Sequence, residues 1–182
     1  MTSTVLEGKT IAFAVASEGI EQVELTEPWK AVQEAGGTPR LLSPDSGSVQ
    51  AFDHLDKADT FDVDDTFASA SIDDYDGLVL PGGVANPDAL RLDESAVSWL
   101  KQYVEAGKPV AAICHAPWTM IEADVVRGRT LTSWPSIQTD LRNAGATWVD
   151  KEMVRDGKLV TSRKSDDLPA FGTALVELFA EK

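Results

Sequence analysis

The sequence contains a single cysteine, Cys114, among its 182 residues. No disulfide can form within the chain, so the fold must depend on its hydrophobic core. Positive charge is also scarce, because 16 Lys and Arg stand against 30 Asp and Glu, which gives a formal net charge of -14. A surface this acidic repels phosphate backbones and anionic headgroups. We therefore expect neither nucleic acid nor a membrane as a partner.

Apolar runs are short, and none approaches the ~20 residues that a membrane-spanning helix needs. The first residues, MTSTVLEGK, lack the basic segment and the apolar core of a signal peptide. These features lead us to expect a cytoplasmic protein. No spacing of His, Cys, Asp and Glu resembles a zinc site, and the acidic stretch 53–65 lacks the Gly and Glu of an EF-hand loop. The sequence therefore predicts no metal and no cofactor.

Short, almost wholly apolar segments alternate along the chain with segments of helical periodicity. Such apolar segments are typical of strands buried on both faces of a parallel sheet. The predicted strands are 10–16, 39–42, 77–80, 109–113 and 129–132, and the predicted helices are 23–35, 93–106, 115–123, 136–144 and 166–180. Residues 49–75 are predicted to hold short strands and loops, and Asp156-Gly157 predicts a hairpin between 148–154 and 159–162. The alternation predicts one α/β domain, residues 1–182, with a mostly parallel sheet.

Cys114 directly follows one of the predicted strands, where ligands bind in open α/β sheets. Ala112 and Ala116 place small residues two positions before and after it, as a sharp strand-to-helix turn requires. Free N–H groups at the start of the next helix, together with the adjacent His115, predict a lowered pKa for the thiol and a nucleophilic role. The alternative is that Cys114 is only a small buried side chain.

Two further groups of residues follow predicted strands. The backbone N–H groups of Gly82 and Gly83, after Pro81, are candidates for an oxyanion hole, although the same residues also suit a plain tight turn. Glu21 and Glu24 follow the first strand. They belong either to the same site or to a solvated helix start that the helix dipole stabilises.

These motifs, taken together, resemble those of the PfpI (ThiJ/PfpI) family, within the class I glutamine amidotransferase-like superfamily. The matching segments are GIEQVEL at 19–25, LVLPGG at 78–83, GKPVAAICHAP at 107–117, NAGA at 143–146 with WVD at 148–150, and SR at 162–163 with DL at 167–168. The resemblance covers residues 10–179, nearly the whole chain. It implies a flavodoxin-like three-layer sandwich that forms a homodimer or a larger homo-oligomer.

The resemblance also implies roles for individual residues. Cys114 corresponds to the family's nucleophile, and Glu24 to the protonated acid that hydrogen-bonds its sulfur, with Glu21 as the near alternative. In the PfpI proteases an acid of a neighbouring subunit orients the histidine that corresponds to His115. Asp88 matches that acid, although this chain carries one more residue between the Pro-Gly-Gly turn and Asp88 than the family pattern has.

Three functions are compatible with these residues. The first expectation is a cysteine-dependent stress-response enzyme that acts on reactive oxo-aldehydes or their adducts, of the glyoxalase III or deglycase type. The second is an intracellular cysteine peptidase that uses Cys114, His115 and Asp88. The third is a redox-sensing stress protein in which Cys114 is oxidised to a sulfinic acid without turnover. The expected partners are accordingly a small aldehyde, a glycated molecule or a peptide.

Overall fold

The computed structural model describes residues 4–182. Residues 1–3 lie outside the described residues. They belong to the predicted domain 1–182 and to the segment MTSTVLEGK. The strands are β1 (Thr10–Ala14), β2 (Glu18–Glu21), β3 (Thr38–Ser43), β4 (Ser48–Asp53), β5 (Asp56–Asp62), β6 (Asp65–Thr66), β7 (Gly77–Leu80), β8 (Val110–Ile113), β9 (Thr130–Leu131), β10 (Thr147–Trp148), β11 (Val154–Asp156) and β12 (Leu159–Ser162). The helices are α1 (Gln22–Glu34), α2 (Ala85–Leu90), α3 (Glu94–Glu105), α4 (Pro117–Glu122), α5 (Gln138–Asn143) and α6 (Leu168–Ala180).

Seven strands form the central sheet, in the order β11-β12-β8-β7-β1-β3-β6. Every pairing in it is parallel except that of β11 with β12, which is the hairpin predicted around Asp156-Gly157. The strands β1, β7 and β8 occupy the middle, so their side chains are buried on both faces. This arrangement explains why their sequences are apolar without alternation.

Helices cover both faces of the sheet and give it three layers. Along β1, Ile11 and Phe13 pack with α1 and α6, whereas Ala12 and Ala14 pack with the layer that contains α3, α4 and α5. Successive side chains of a strand point to opposite faces, so one apolar strand contributes to both cores. The predicted α/β architecture is confirmed, with a mostly parallel sheet between two helical layers.

Several local predictions need correction. Residues Glu18–Glu21 form strand β2, which pairs with β4, and not the solvated start of a helix. Helix α2 was not predicted, and the strand expected over 148–154 is shorter because Thr147–Trp148 instead pairs with β9. The stretch 49–75 holds short strands as predicted, and β2, β4 and β5 form a separate three-stranded sheet. This small sheet lies beside the carboxyl ends of the central strands.

No helix within residues 4–182 is long and apolar enough to cross a bilayer.

Candidate active site

Cys114 occupies a sharp turn between β8 and α4. Its φ angle is 63°, in the left-handed region that L-residues other than Asn and Asp rarely adopt. The flanking structure holds this conformation, because the Cys114 N–H donates to the Ser162 carbonyl at 3.1 Å and the Cys114 carbonyl accepts from the Trp134 N–H at 2.9 Å. Ala112 and Ala116 are fully buried, as the small residues of such a turn should be. The turn predicted at Cys114 is present.

Glu24 lies against the cysteine and is almost completely buried, with 1% of its surface exposed. Its Oε1 atom accepts a hydrogen bond from the Ser165 hydroxyl at 3.4 Å. Its Oε2 atom has no hydrogen bond of standard geometry, although the Cys114 thiol and the Gly82 N–H lie near it. Burial raises the pKa of Glu24 to about 7, the charge of Glu21 adds to the rise, and the nearby donors oppose it. Glu24 therefore exchanges its proton near neutral pH.

The environment of the sulfur corrects the expectation of a lowered thiol pKa. Cys114 is 7% exposed, and this burial raises its pKa, as does the adjacent carboxylate of Glu24. The backbone N–H groups of Gly83 and His115 face the sulfur and act in the opposite direction. Helix α4 has only six residues, so its dipole is too weak to outweigh the loss of hydration. In this chain the resting state is a thiol beside an acid that ionises near pH 7.

His115 is also buried and does not supply a positive charge to the site. Its Nδ1 atom lies 3.2 Å from the Cys114 sulfur. The ring lies between Trp118 and Trp134, at centroid distances of 5.2 and 5.8 Å. Burial lowers the pKa of His115 to about 4, with no contribution from a charged neighbour within the chain. The imidazole is therefore neutral at physiological pH unless an acid from outside the chain stabilises its charged form.

Gly82 and Gly83 form the turn after β7 and bring backbone next to both reactive side chains. A Cβ atom at Gly82 would collide with the Glu24 carboxyl and lie 2.6 Å from the Cys114 Cβ atom. Gly83 has a φ angle of 87°, and a Cβ atom there would collide with the Gly19 carbonyl. Only glycine permits this approach. Of the two predicted oxyanion donors, the Gly83 N–H faces the sulfur and the Gly82 N–H faces Glu24.

Glu21, the alternative to Glu24, lines the pocket that contains Cys114, but its carboxylate makes its hydrogen bonds to His54 and not to the sulfur. Its two carboxylate oxygens accept from the His54 N–H at 3.3 and 3.2 Å. Glu21, Asp53 and His54 also form the one group of potential metal ligands found within residues 4–182, with ligand atoms within 4.8 Å of one another. Asp53 and His54 are exposed, and exposed ligands of this kind hold a metal weakly. We assign no metal to this group.

Asp88 lies on the exposed side of α2. None of the hydrogen bonds or ion pairs found among residues 4–182 joins its carboxylate to His115. Within one chain, the structure therefore brings together Cys114, His115, Glu24 and the glycine turn, with Glu21 on the wall of the same pocket. It leaves Asp88 outside this group.

A pocket of about 420 Å³ opens onto Cys114. Its wall is mostly apolar, and its rim carries three exposed apolar side chains, since Leu55 is 94% exposed, Val84 57% and Trp134 38%. The polar groups that reach the pocket include Glu24, His115 and Ser165. The site can therefore admit a small carbonyl compound or a side-chain adduct next to the thiol.

Sequence patterns did not reveal several residues of this site. Ser165 and Trp134 approach the cysteine from loops that are distant in sequence, and Asn86 lies in the short helix that was not predicted. A partial signal existed for Asn86, because it follows the Pro-Gly-Gly turn by only three residues and Asn side chains readily hydrogen-bond the backbone of nearby turns. Nothing local distinguished Ser165 or Trp134.

The sequence matches the model of the DJ-1/PfpI family over residues 9–178. It is 41% identical, over 92% of this chain and 98% of the relative, to Deglycase PH1704 of Pyrococcus horikoshii. It is 39% identical to Protein/nucleic acid deglycase 2 of Escherichia coli, over 93% of this chain and 97% of that protein. Among solved structures, Drosophila melanogaster DJ-1beta superposes with a TM-score of 0.84 at 28% identity, over 96% of this chain and 91% of that chain.

Proposed function

The chain belongs to the DJ-1/PfpI family, and we propose that it is a cofactor-independent cysteine enzyme that acts on reactive oxo-aldehydes or their adducts. The observation that carries the proposal is the contact between a strained, buried Cys114 and Glu24, whose pKa of about 7 suits proton transfer at neutral pH. Relatives that align over nearly their whole length are named deglycases, which supports the same class of substrate. A free catalytic thiol is best preserved in a reducing compartment, so we propose the cytoplasm as its location.

In the proposed reaction, the Cys114 sulfur adds to the aldehyde carbon while the Glu24 carboxylate accepts the thiol proton. A C–S bond forms, and the C=O double bond becomes a C–O⁻ group, which the Gly83 N–H stabilises. Protonation of that oxygen by Glu24 gives a neutral hemithioacetal and restores the carboxylate. This assignment uses the thiol as it rests in the site and needs no preformed thiolate.

For a 2-oxoaldehyde such as methylglyoxal, the remaining steps require only water. Glu24 removes the proton from the former aldehyde carbon and delivers it to the neighbouring ketone carbon by way of an enediol, while the hydroxyl proton of the hemithioacetal passes to the ketone oxygen. The ketone thereby becomes an alcohol, and the former aldehyde carbon becomes the carbonyl of a thioester on Cys114. Water hydrolyses the thioester to a 2-hydroxy acid and frees the thiol. The aldehyde carbon is oxidised and the ketone carbon reduced, so no external oxidant or reductant is consumed.

We also propose that the active unit is a homodimer or a larger homo-oligomer in which Asp88 of one subunit faces His115 of another. The burial of His115 lowers its pKa to about 4, so a charged role would require an acid from outside the chain. The apolar rim of Leu55, Val84 and Trp134 beside the pocket would be covered in such an assembly.

The proposal is tested by methylglyoxal turnover, measured as 2-hydroxy acid formed, for the wild type, Cys114→Ser and the control Glu18→Gln, whose side chain is exposed and does not line the pocket. We expect turnover by the wild type and the control and a loss of at least ~10³-fold in Cys114→Ser, because the hydroxyl is a far weaker nucleophile. Two further activities are measured in parallel. One is removal of the aldehyde adduct from a glycated amino acid, and the other is digestion of casein. Casein digestion without aldehyde turnover would replace the proposal with a peptidase, and oxidation of Cys114 with neither activity would favour a redox sensor.

A further inference from the structure

The Asn86 side chain makes three hydrogen bonds inside the protein, through its oxygen and through both N–H groups of its amide. It is 1% exposed and lies in the first turn of α2. Its Oδ1 atom accepts from the Ala16 N–H at 2.7 Å, just beyond β1. Its Nδ2 group donates to the carbonyls of Pro81 and Gly82 at 3.0 and 3.1 Å. These partners fix the orientation of the amide, because only its oxygen can face an N–H and only its nitrogen can face two carbonyls.

The two carbonyls belong to the peptides that carry the N–H groups of the active site. The carbonyl of Pro81 and the N–H of Gly82 share one peptide plane, and the carbonyl of Gly82 and the N–H of Gly83 share the next. None of the described peptide bonds is cis, and in a trans peptide the C=O and N–H groups point in opposite directions. Holding both carbonyls on one side therefore turns both N–H groups toward the other.

On that other side lie the two reactive groups. The Gly82 N–H faces the Glu24 carboxyl and lowers its pKa, and the Gly83 N–H faces the Cys114 sulfur and lowers its pKa. The Gly82 carbonyl also accepts from the Glu21 N–H at 3.3 Å, which joins the turn to β2. Without Asn86, the glycine turn would keep this second contact but would lose the tie to β1.

We propose that Asn86 is a positioning residue, which orients the Pro81-Gly82-Gly83 turn so that one N–H group serves Glu24 and the next serves Cys114. It touches neither the sulfur nor the carboxylate and acts through two peptide planes. The effect on turnover rests on the proposed function, whereas the effect on the thiol and the acid holds for any substrate.

The test uses iodoacetamide, which alkylates thiols and so reports on Cys114 alone in this chain. The alkylation rate is measured from pH 5 to pH 10 for the wild type, Asn86→Ala, Asn86→Asp and the control Thr119→Val. Thr119 is buried and bonds the Pro87 carbonyl at 3.4 Å, so the control loosens α2 without touching the turn.

We expect the Asn86 variants to lose roughly 10-fold in alkylation rate at pH 8.5, since each donor to a charged group contributes about this factor. We also expect the inflection from Glu24 to move upward from about 7, because the Gly82 N–H no longer faces the carboxylate. The control should keep the wild-type profile even if its melting temperature falls. Asn86 variants that melt earlier but retain the wild-type pH profile would show a purely structural role and overturn the proposal.

A second measurement covers the case in which neither variant folds. In the wild type, the NMR chemical shift of the Gly82 amide proton should change with pH as Glu24 ionises, near pH 7. This pH dependence should be absent in Glu24→Gln. The Asn86 side-chain amide protons should exchange slowly over the same range. A Gly82 chemical shift that does not depend on pH, or rapid hydrogen exchange of the Asn86 side-chain amide, would overturn the proposal. Because neither measurement involves turnover, their failure is distinct from failure of the proposed reaction.

Discussion

Replacing Glu24 by Gln should make the protein more stable at neutral pH while it inactivates the site. Burial raises the pKa of Glu24 from 4.5 to about 7. Between these values the unfolded chain releases the proton and the folded chain keeps it, so a rise in pH favours unfolding. The contribution of Glu24 to the free energy of unfolding therefore falls progressively as the pH rises from 4.5 through 7, and the fall is complete above about 7.

The magnitude follows from the shift. A difference of about 2.5 pKa units corresponds to about 3 kcal/mol at 1.36 kcal/mol per unit. The side chain is 1% exposed, so solvent screening does not reduce this figure. Glutamine has the shape of the protonated acid and cannot ionise, so the variant avoids the loss. For a chain of this size, about 3 kcal/mol corresponds to a rise of roughly 6–12 °C in melting temperature.

The assay is urea unfolding at pH 4.5, 6 and 8 for the wild type and Glu24→Gln at one protein concentration. The stability difference between the two proteins should be small at pH 4.5 and should grow to about 3 kcal/mol at pH 8, because the other titrating groups cancel in the comparison. The exposed Glu18→Gln variant should stay within about 0.5 kcal/mol of the wild type at every pH. A Glu24→Gln difference that does not change with pH would refute the raised pKa and, with it, the proposed proton transfer.

Other outcomes follow from the same site. Turnover of methylglyoxal should rise with pH through a midpoint near 7, as Glu24 becomes the base, and Glu24→Gln should reduce it at least ~10²-fold; turnover that falls above pH 7, or a larger loss in Glu21→Gln, would contradict the assignment. Cys114→Ser and Asp88→Asn, each weak alone, should regain about a quarter of wild-type activity when unfolded together and reassembled, because about half of the dimers are mixed and one of their two sites is intact. No recovery in mixed dimers verified by mass would reject a role for Asp88 across the interface.

The sequence was sufficient to place the sharp turn at Cys114, the proposed nucleophile, and the sheet that carries it. Buried parallel strands are apolar without alternation, and residues 109–113 show this pattern. A sharp turn needs small residues on both sides, and Ala112 and Ala116 provide them around Cys114. The Pro81-Gly82-Gly83 turn was visible for the same reason. Each of these features depends on the backbone geometry of a few neighbouring residues, and the types of those residues are enough to restrict that geometry.

The family resemblance favoured Glu24 over Glu21, but local sequence features could not separate the two, because they are three residues apart and both follow β1. Their different contacts appear only in the tertiary structure. Glu21 ends β2 and meets the His54 N–H, whereas Glu24 lies inside α1 and meets the sulfur. The thiol's pKa also depended on tertiary structure, since local features predicted a lowered value and burial raises it. Asn86 bonds Ala16 from 70 residues away in sequence. The pKa values of the site depend on burial and on contacts between distant segments, and these arise only when the chain folds. The position of the site in the chain depends on local residues and was therefore visible in the sequence.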